Sequence, residues 1–591
     1  MTTTIKLHPK DDYRQKVIYT NIITEPEAKV EKSNDIILKW STPKQSPLSY
    51  NYQVKVKTST NMKKIIKNPP FPLELEDDSL LQYIRPTQYI DITTEIIKQS
   101  NEIIKNETDQ YIIAVKLAEW VKNNIKYDLN SLTEEVVQSA SWVLDHKEGV
   151  CDELTNLYIA LLRSQAIPAR FVSGSVYSGV DNLWSLHGWA EVYFPNTGWI
   201  PFDPTFGQYG WIDSTHLQLS EGADPGESSV TYHWVARNID LLPDKLNIET
   251  KLSKLGEQVK PIIKLEIIPL IKKVDIGSYV PIQVTVINSE NYYISPEVHL
   301  TKAPSILSTN SQAIPLKPKE SKNIYWIVAI PQDLNEFSDY KTIIEVDSIF
   351  SEPVDTDIEI SKKNPKITEK QAKERIKQLT KNINNVYYNS VNTLCTLDKE
   401  YYYKEDTIQV DCNILNDGNT NLDQLKVCIT PDNCDVFDLK LSETKKVSFK
   451  THPAKKLSIK MNNDKFLRYH FITPELIEKP EIEIINITPN KFKYKEDVEL
   501  TLILRSKEEV SNLTIFFNDI GVLSTNKLYK EETKFTLNTN TKQLINGLNI
   551  EFDYLDKKGE EYHKKVNIPI EVEGIPEMIK LLNKIALLLY N

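Results

Sequence analysis

Glycine is scarce in this chain: 16 residues in 591, under half the roughly 7% typical of soluble proteins. Few positions can therefore demand a left-handed backbone, and loop-rich or collagen-like architectures are excluded. There is no basic excess either. Lys and Arg number 71 against 82 Asp and Glu, a formal charge of −11, so the chain lacks the electrostatic footprint of a nucleic-acid binder. No run of 18 apolar residues exists, so no helix is expected to span a bilayer. The beginning, Met1-Thr2-Thr3-Thr4-Ile5-Lys6, lacks the apolar segment of a signal peptide. The expectation is a protein that is not exported, or one whose leader lies outside this sequence. What remains is ordinary globular material, 40% hydrophobic and 26% charged, long enough for about four domains.

The rare residues are not spread evenly. Nine of the 16 glycines fall between Gly149 and Gly226, and six of the nine tryptophans between Trp142 and Trp234. This stretch is built differently from the rest, and chemistry is expected there. Of the five cysteines, Cys151 stands alone inside it. The other four, Cys395, Cys412, Cys428 and Cys434, crowd together with no C-x-x-C pairs and no histidine among them. That argues against zinc. Disulfides in any of three pairings are favoured over buried free thiols, and they would suggest an extracytoplasmic home or a hyperthermophile interior; the domain architecture favours an extracytoplasmic or cell-envelope location.

Along the chain, residues 1–75 read as a β segment closed by Pro69-Pro70-Phe71-Pro72. Ile112, Val115, Leu117, Ala118, Val121 and Ile125 then recur at helical spacing, opening a mixed core expected over 76–240. Beyond it, β-branched and aromatic residues with frequent turn signals predict three β-sandwiches, at 262–362, 393–478 and 479–574. A helical linker is expected at 363–392, where Thr368-Glu369-Lys370-Gln371 has capping-box form. The tail, 575–591, carries Leu581, Leu582, Ile585 and Leu587–Leu589 beside Lys580 and Lys584. It reads as an amphipathic docking helix, with membrane-surface association as the alternative. The fold class is thus multidomain, α+β followed by all-β.

Within the glycine-rich stretch, Leu154, Leu157, Tyr158, Leu161 and Leu162 follow helical spacing from just after Cys151. This puts the sulfur at a helix N-terminus, where the helix dipole favours thiolate. Asp152 and Glu153 oppose that effect, so a histidine is needed. His187-Gly188-Trp189-Ala190-Glu191-Val192-Tyr193-Phe194 alternates as a strand, with His187 and Trp189 on one face and Ala190, Val192 and Phe194 on the other. Pro195-Asn196-Thr197-Gly198 turns the chain, and the returning strand brings Asp203 toward His187. A carboxylate there would fix the imidazole tautomer and stabilise the imidazolium. Cys, His and Asp together form the logic of an activated sulfur nucleophile. The Cys151 backbone N–H is one expected oxyanion donor. Gln138 and Trp142, four apart and expected on one helical face, are candidates for the second, with Trp189 as a supporting residue. His146, His216 and His233 are read as structural. There is no EF-hand loop, Walker loop or GxGxxG, and no cofactor or metal is expected.

These phrases resemble the transglutaminase-like superfamily: Gly149-Val150-Cys151, Leu161-Leu162-Arg163 with Ile167-Pro168-Ala169-Arg170, His187-Gly188-Trp189-Ala190-Glu191-Val192, and Gly198-Trp199-Ile200-Pro201-Phe202-Asp203-Pro204-Thr205. Phe206 to His216 looks like the downstream motif of prokaryotic members. The β blocks resemble immunoglobulin-like, CARDB-like domains in phrases such as Val286-Ile287-Asn288 and Leu415-Asn416-Asp417-Gly418-Asn419. The resemblance implies a papain-like core, with the triad on Cys151, His187 and Asp203. It implies a cysteine enzyme acting on protein or peptide amides through a thioester. Hydrolysis is favoured over amine transfer, because many prokaryotic members are regarded as proteases. The alternative is a catalytically silent surface-binding protein that uses its immunoglobulin-like domains. The calcium dependence of animal transglutaminases is not implied, since no segment matches a calcium site.

Overall fold

The computed structural model describes residues 1–591 except 42–46, 76, 129–136, 179–181, 228, 235–241, 245, 381–388, 419, 465, 490, 518–519, 546 and 580–591. The tail beyond Ile579, together with Gly179 and Asn419, therefore lies outside the described residues. Among the described residues strand accounts for 48% and helix for 13%, so β structure dominates and the helices concentrate where the site lies. The chain divides into two compact units.

The larger unit comprises Met1–Leu394, Cys412–Val447 and Ser458–Phe471. Its mixed core holds four helices: α1 (Thr94–Ile104), α2 (Gln110–Asn124), α3 (Ala140–His146) and α4 (Cys151–Arg163). Local chemistry explains their starts. Asp109 accepts hydrogen bonds from the Tyr111 and Ile112 amides at the head of α2, and Ser139 caps α3. Ahead of α4, Val150 offers no capping oxygen, and Glu153 serves instead. One of its carboxylate oxygens accepts the Val150 N–H at 3.2 Å and the other the Gln138 N–H at 3.0 Å. A single side chain thus ties the segment before α3 to the beginning of α4.

Beside these helices lies a five-stranded antiparallel sheet of β1 (Ala169–Ser178), β2 (Leu183–Phe194), β3 (Gly198–Asp203), β4 (Gln208–Tyr209) and β5 (His216–Gly222), in the order β4-β3-β2-β1-β5. The expected alternation along β2 is observed. Ala190, Val192 and Phe194 join one core with Leu154, Leu157, Leu161 and the α2 residues. Trp189 lies on the opposite face with Val172 and Ile212. Near the head of α4 the helix comes very close to β2. A methyl group at Gly188 would sit 2.4 Å from Asp152 Oδ1 and 2.4 Å from the Phe171 ring, and Thr155 Oγ1 donates to the Gly188 carbonyl at 3.1 Å. Glycine is required there for that approach.

At its N-terminal side, Thr2–Ile5 pairs both with Ile36–Lys39 and with Val230–His233, a strand that follows the mixed core in sequence. His233 pairs with Thr2 in that sheet. Downstream, strands between Ile263 and Ile360 form two sheets around Val284, Val286, Trp326, Val328 and Phe350. Helix α5 (Glu369–Thr380) follows. Thr368 and Gln371 form the reciprocal hydrogen bonds of the capping box at its head. Cys428 and Cys434 are joined in a disulfide between adjacent strands. Cys412 is also disulfide-bonded.

The second unit comprises Cys395–Asp411, Ser448–Leu457 and Ile472–Asn591. In it a three-stranded sheet (Ile482–Thr488, Asp497–Ser506, Thr533–Asn540) and a four-stranded sheet (Gly521–Leu528, Val510–Phe517, Leu548–Leu555, Glu561–Ile568) enclose Leu502, Leu504, Ile515, Phe517 and Phe552.

The close approach of α4 to β2 yields a test. Gly188→Ala should destabilise the mixed core by about 1–3 kcal/mol, the usual cost of forcing a methyl into a packed site. Urea unfolding followed by tryptophan fluorescence would read this. An unchanged midpoint would show that the helix does not rest on this residue.

Candidate active site

Cys151 is the first residue of α4 and keeps partial access to solvent. It is the free cysteine among the described residues. Its thiol donates to Asp152 Oδ1 at 3.6 Å. Burial pushes the thiol pKa up, and the Asp152 charge pushes it further; only the Gly188 N–H, facing the sulfur, works in the other direction. Burial and the Asp152 charge thus both favour the thiol over the thiolate. The first turn of α4 carries Asp152 and Glu153, which oppose the pull of the helix N-terminus toward thiolate.

His187 is buried, with 6% of its surface exposed, next in sequence to the Gly188 that touches α4. The ring uses Nε2 to hydrogen-bond Asp203 Oδ2 at 2.6 Å. The strand register accounts for this meeting. Phe202 pairs with Ala190 across the β2–β3 hairpin, so Asp203 emerges at the His187 end of β2. Asp203 has no exposed surface. Its second oxygen, Oδ1, accepts the Thr205 and Phe206 amides at 2.8 and 3.0 Å. Burial alone would raise the Asp203 pKa, but the facing His187 and His216 outweigh it and hold the carboxyl well below the usual carboxylate range. Phe206 presents its ring edge to His187 at 5.1 Å between centroids.

The structure brings Cys151, His187 and Asp203 to one corner, where the head of α4 meets β2 and β3. It treats the proposed oxyanion residues differently. Gln138 lies before Ser139, the cap of α3, so it does not share a helical face with Trp142. Its backbone, by its N–H and its carbonyl, bonds Glu153 and Asn156. The helix begins later than the periodicity implied because Ser139 caps it. Trp142 stacks on His146 at 4.1 Å. His146 sits in the last turn of α3, where its Nδ1 bonds the Trp142 carbonyl. Trp189 is fully buried and stands edge-on to His216 at 5.4 Å.

Two residues in the site escaped the sequence reading. His216, read as an ordinary structural histidine, hydrogen-bonds Asp203 Oδ2 through Nε2 at 3.0 Å and Asp213 Oδ1 through Nδ1 at 3.0 Å. The available signal was the Asp213-Ser214-Thr215-His216 spacing, in which an aspartate turn can hold the imidazole that follows it. Tyr127 pairs directly with Gly149, two residues before Cys151. Burial raises its phenol pKa, and the negative charges of Cys151, Asp152, Asp203 and Glu153 help bring it to about 12. Its only sequence signal was a tyrosine at the end of a helical run. The polar atoms of His187, Asp203 and His216 lie within 4.8 Å of one another, a spacing also seen around metal ions. Each is already engaged in the hydrogen bonds above, and we read the cluster as a hydrogen-bonded network.

Residues 97–204 match the family model of the transglutaminase-like superfamily. Among curated relatives, the uncharacterized protein YebA of Bacillus subtilis is 33% identical over 99 residues, covering 14% of this chain and 13% of YebA. The uncharacterized protein ML0607 of Mycobacterium leprae is 28% identical over 134 residues, covering 22% of this chain and 46% of that protein. The chain thus spans less than half the length of these relatives. Among solved structures, the periplasmic domain of TgpA from Pseudomonas aeruginosa is similar at 14% identity and a TM-score of 0.22, covering 34% of this chain and 67% of that one.

The Asp152 contact makes a prediction. Asp152→Asn removes the charge that raises the Cys151 pKa, so alkylation of Cys151 by iodoacetamide at pH 7 should accelerate roughly tenfold, one pKa unit's worth. The rate is measured by mass spectrometry with the disulfides intact. An equal or slower rate would mean that Asp152 does not restrain the thiol.

Proposed function

Residues 97–204 form a transglutaminase-like core, and transglutaminase-like or cysteine-protease-like chemistry is the class it supports; within that class, we propose that Cys151, His187 and Asp203 form a catalytic triad that cleaves protein or peptide amide bonds. The observation that carries this reading is the buried 2.6 Å hydrogen bond from His187 Nε2 to Asp203, at a corner where the sulfur sits against Gly188, the neighbour of His187. With Nε2 committed to Asp203, Nδ1 is the nitrogen that takes the Cys151 proton.

As the substrate carbonyl arrives, the proton passes from sulfur to His187 while the C–S bond forms. The backbone N–H of Cys151 faces the developing oxyanion. The tetrahedral species collapses to a thioester, the C–N bond breaks, and His187 returns the proton to the leaving amine. In hydrolysis, His187 then deprotonates a water that attacks the thioester, releasing the acid and restoring the thiol. In transfer, an amine takes the place of that water. Hydrolysis is the favoured outcome, on the family resemblance of the sequence. Disulfide-bonded cysteines in the same chain support work in an oxidising, extracytoplasmic setting.

Incubating the protein with casein and a labelled amine distinguishes the outcomes. New amino termini are expected, with little amine incorporation, and Cys151→Ala should abolish both. Dominant amine incorporation would reassign the enzyme as a transferase. Activity that survives Cys151→Ala would remove the triad altogether.

A further inference from the structure

The proposed triad leaves His216 unexplained, and its surroundings are unusually complete. It is fully buried on β5. Each ring nitrogen faces a carboxylate oxygen at 3.0 Å, Nε2 toward Asp203 and Nδ1 toward Asp213. A neutral imidazole donates from one nitrogen only and would turn a lone pair toward the second carboxylate. Both contacts are favourable only when both nitrogens carry protons.

The surroundings keep this arrangement in place. Asp213 Oδ2 accepts from Gln208 Nε2 at 2.7 Å, and the Asp213 N–H donates back to Gln208 Oε1 at 2.8 Å. Thr215 donates its N–H to Asp213 Oδ1 at 2.8 Å. From the N-terminal segment, the Arg14 guanidinium donates to the Asp213 and His216 carbonyls at 3.3 and 3.4 Å. The charged and titratable groups facing His216 are therefore Asp203 from β3, Asp213 from the preceding turn, Arg14 from the N-terminal segment, and His187 from β2 at 5.6 Å between ring centroids. Trp189 and Phe206 close the remaining sides. Burial lowers the His216 pKa, but the two carboxylates prevail and raise it above the ordinary value.

We propose that His216 is a positioning residue for the reaction: an imidazolium clamped between Asp203 and Asp213 that orients the Asp203 carboxylate toward His187 and sets the pH at which Cys151 becomes reactive. The inference rests on the proposed triad. It acts through Asp203 Oδ2, the oxygen that receives both imidazoles. With Oδ1 held by two amides, this carboxylate cannot rotate away from His187. A fixed positive charge one carboxylate away favours the less protonated forms of the Cys151–His187 pair, so it shifts the reactive window toward lower pH.

The experiment measures Cys151 alkylation by iodoacetamide against pH in the full chain with its disulfides intact. His216→Gln keeps an amide donor for Asp203 and removes the charge. The profile should move upward by about one pH unit while the plateau rate stays within a few-fold. An unmoved profile, even with a lowered melting temperature, would reduce His216 to a structural residue and overturn the proposal. Because this variant could fail to fold, 15N-histidine NMR of the wild-type protein supplies a second reading. Two protonated His216 nitrogens at neutral pH are expected; a single protonated nitrogen, or zinc retained stoichiometrically on His216 after purification, overturns it. Failure of the triad itself looks different: His187→Ala would then leave wild-type alkylation unchanged, whatever the His216 resonances show.

Discussion

A carboxylate with no exposed surface is the constraint around which the site is organised. Burying the Asp203 charge is costly unless it is fully hydrogen-bonded and faced by opposite charge. Its four contacts come from three directions: His187 on β2, His216 on β5 and the two amides of the turn that follows β3. Each partner makes a demand on the backbone. The β2–β3 hairpin must hold its register, the chain must return after Asp213 at the right height, and the turn at Thr205 and Phe206 must fold back on its own aspartate. Loss of any of these leaves a buried charge short of a partner, so the sheet order and the chemistry are linked through one side chain.

The second constraint is steric. Helix α4 can bring Cys151 against β2 at Gly188 only because residue 188 has no side chain, and Glu153 secures the head of that helix where Val150 has no oxygen to offer. Burial and the Asp152 charge both favour the Cys151 thiol over the thiolate. In the proposed triad, a sulfur restrained in this way depends on His187 for its activation, which gives the carboxylate network its consequence.

Much of the architecture was legible from local patterns. The alternation along β2 places His187 and Trp189 opposite Ala190, Val192 and Phe194, since side-chain direction in a strand follows from sequence parity alone. The capping box before α5 appears as its four residues suggest. The same local reasoning failed at Gln138. Helical periodicity extends backward through that residue, but Ser139 supplies a capping oxygen and starts the helix later. His216 and Tyr127 were missed for a different reason. Their partners come from β3, from the turn before β5 and from the head of α4, and no spacing rule within one element reports such meetings.

By itself, then, the sequence carried the alternation of β2 and the capping box of α5, where the scarce glycines gather, and which cysteine stands apart from the rest. It also carried the order of Cys151, His187 and Asp203, because motif spacing is written along the chain. Only the tertiary structure decided that Asp203 is shared between two imidazoles, that Asp152 accepts a hydrogen bond from the Cys151 thiol, and that Tyr127 pairs with Gly149 just before α4. These are relations between groups from different elements. Their energies depend on burial and on approach within hydrogen-bond range, and both exist only once the sheet has closed against α4.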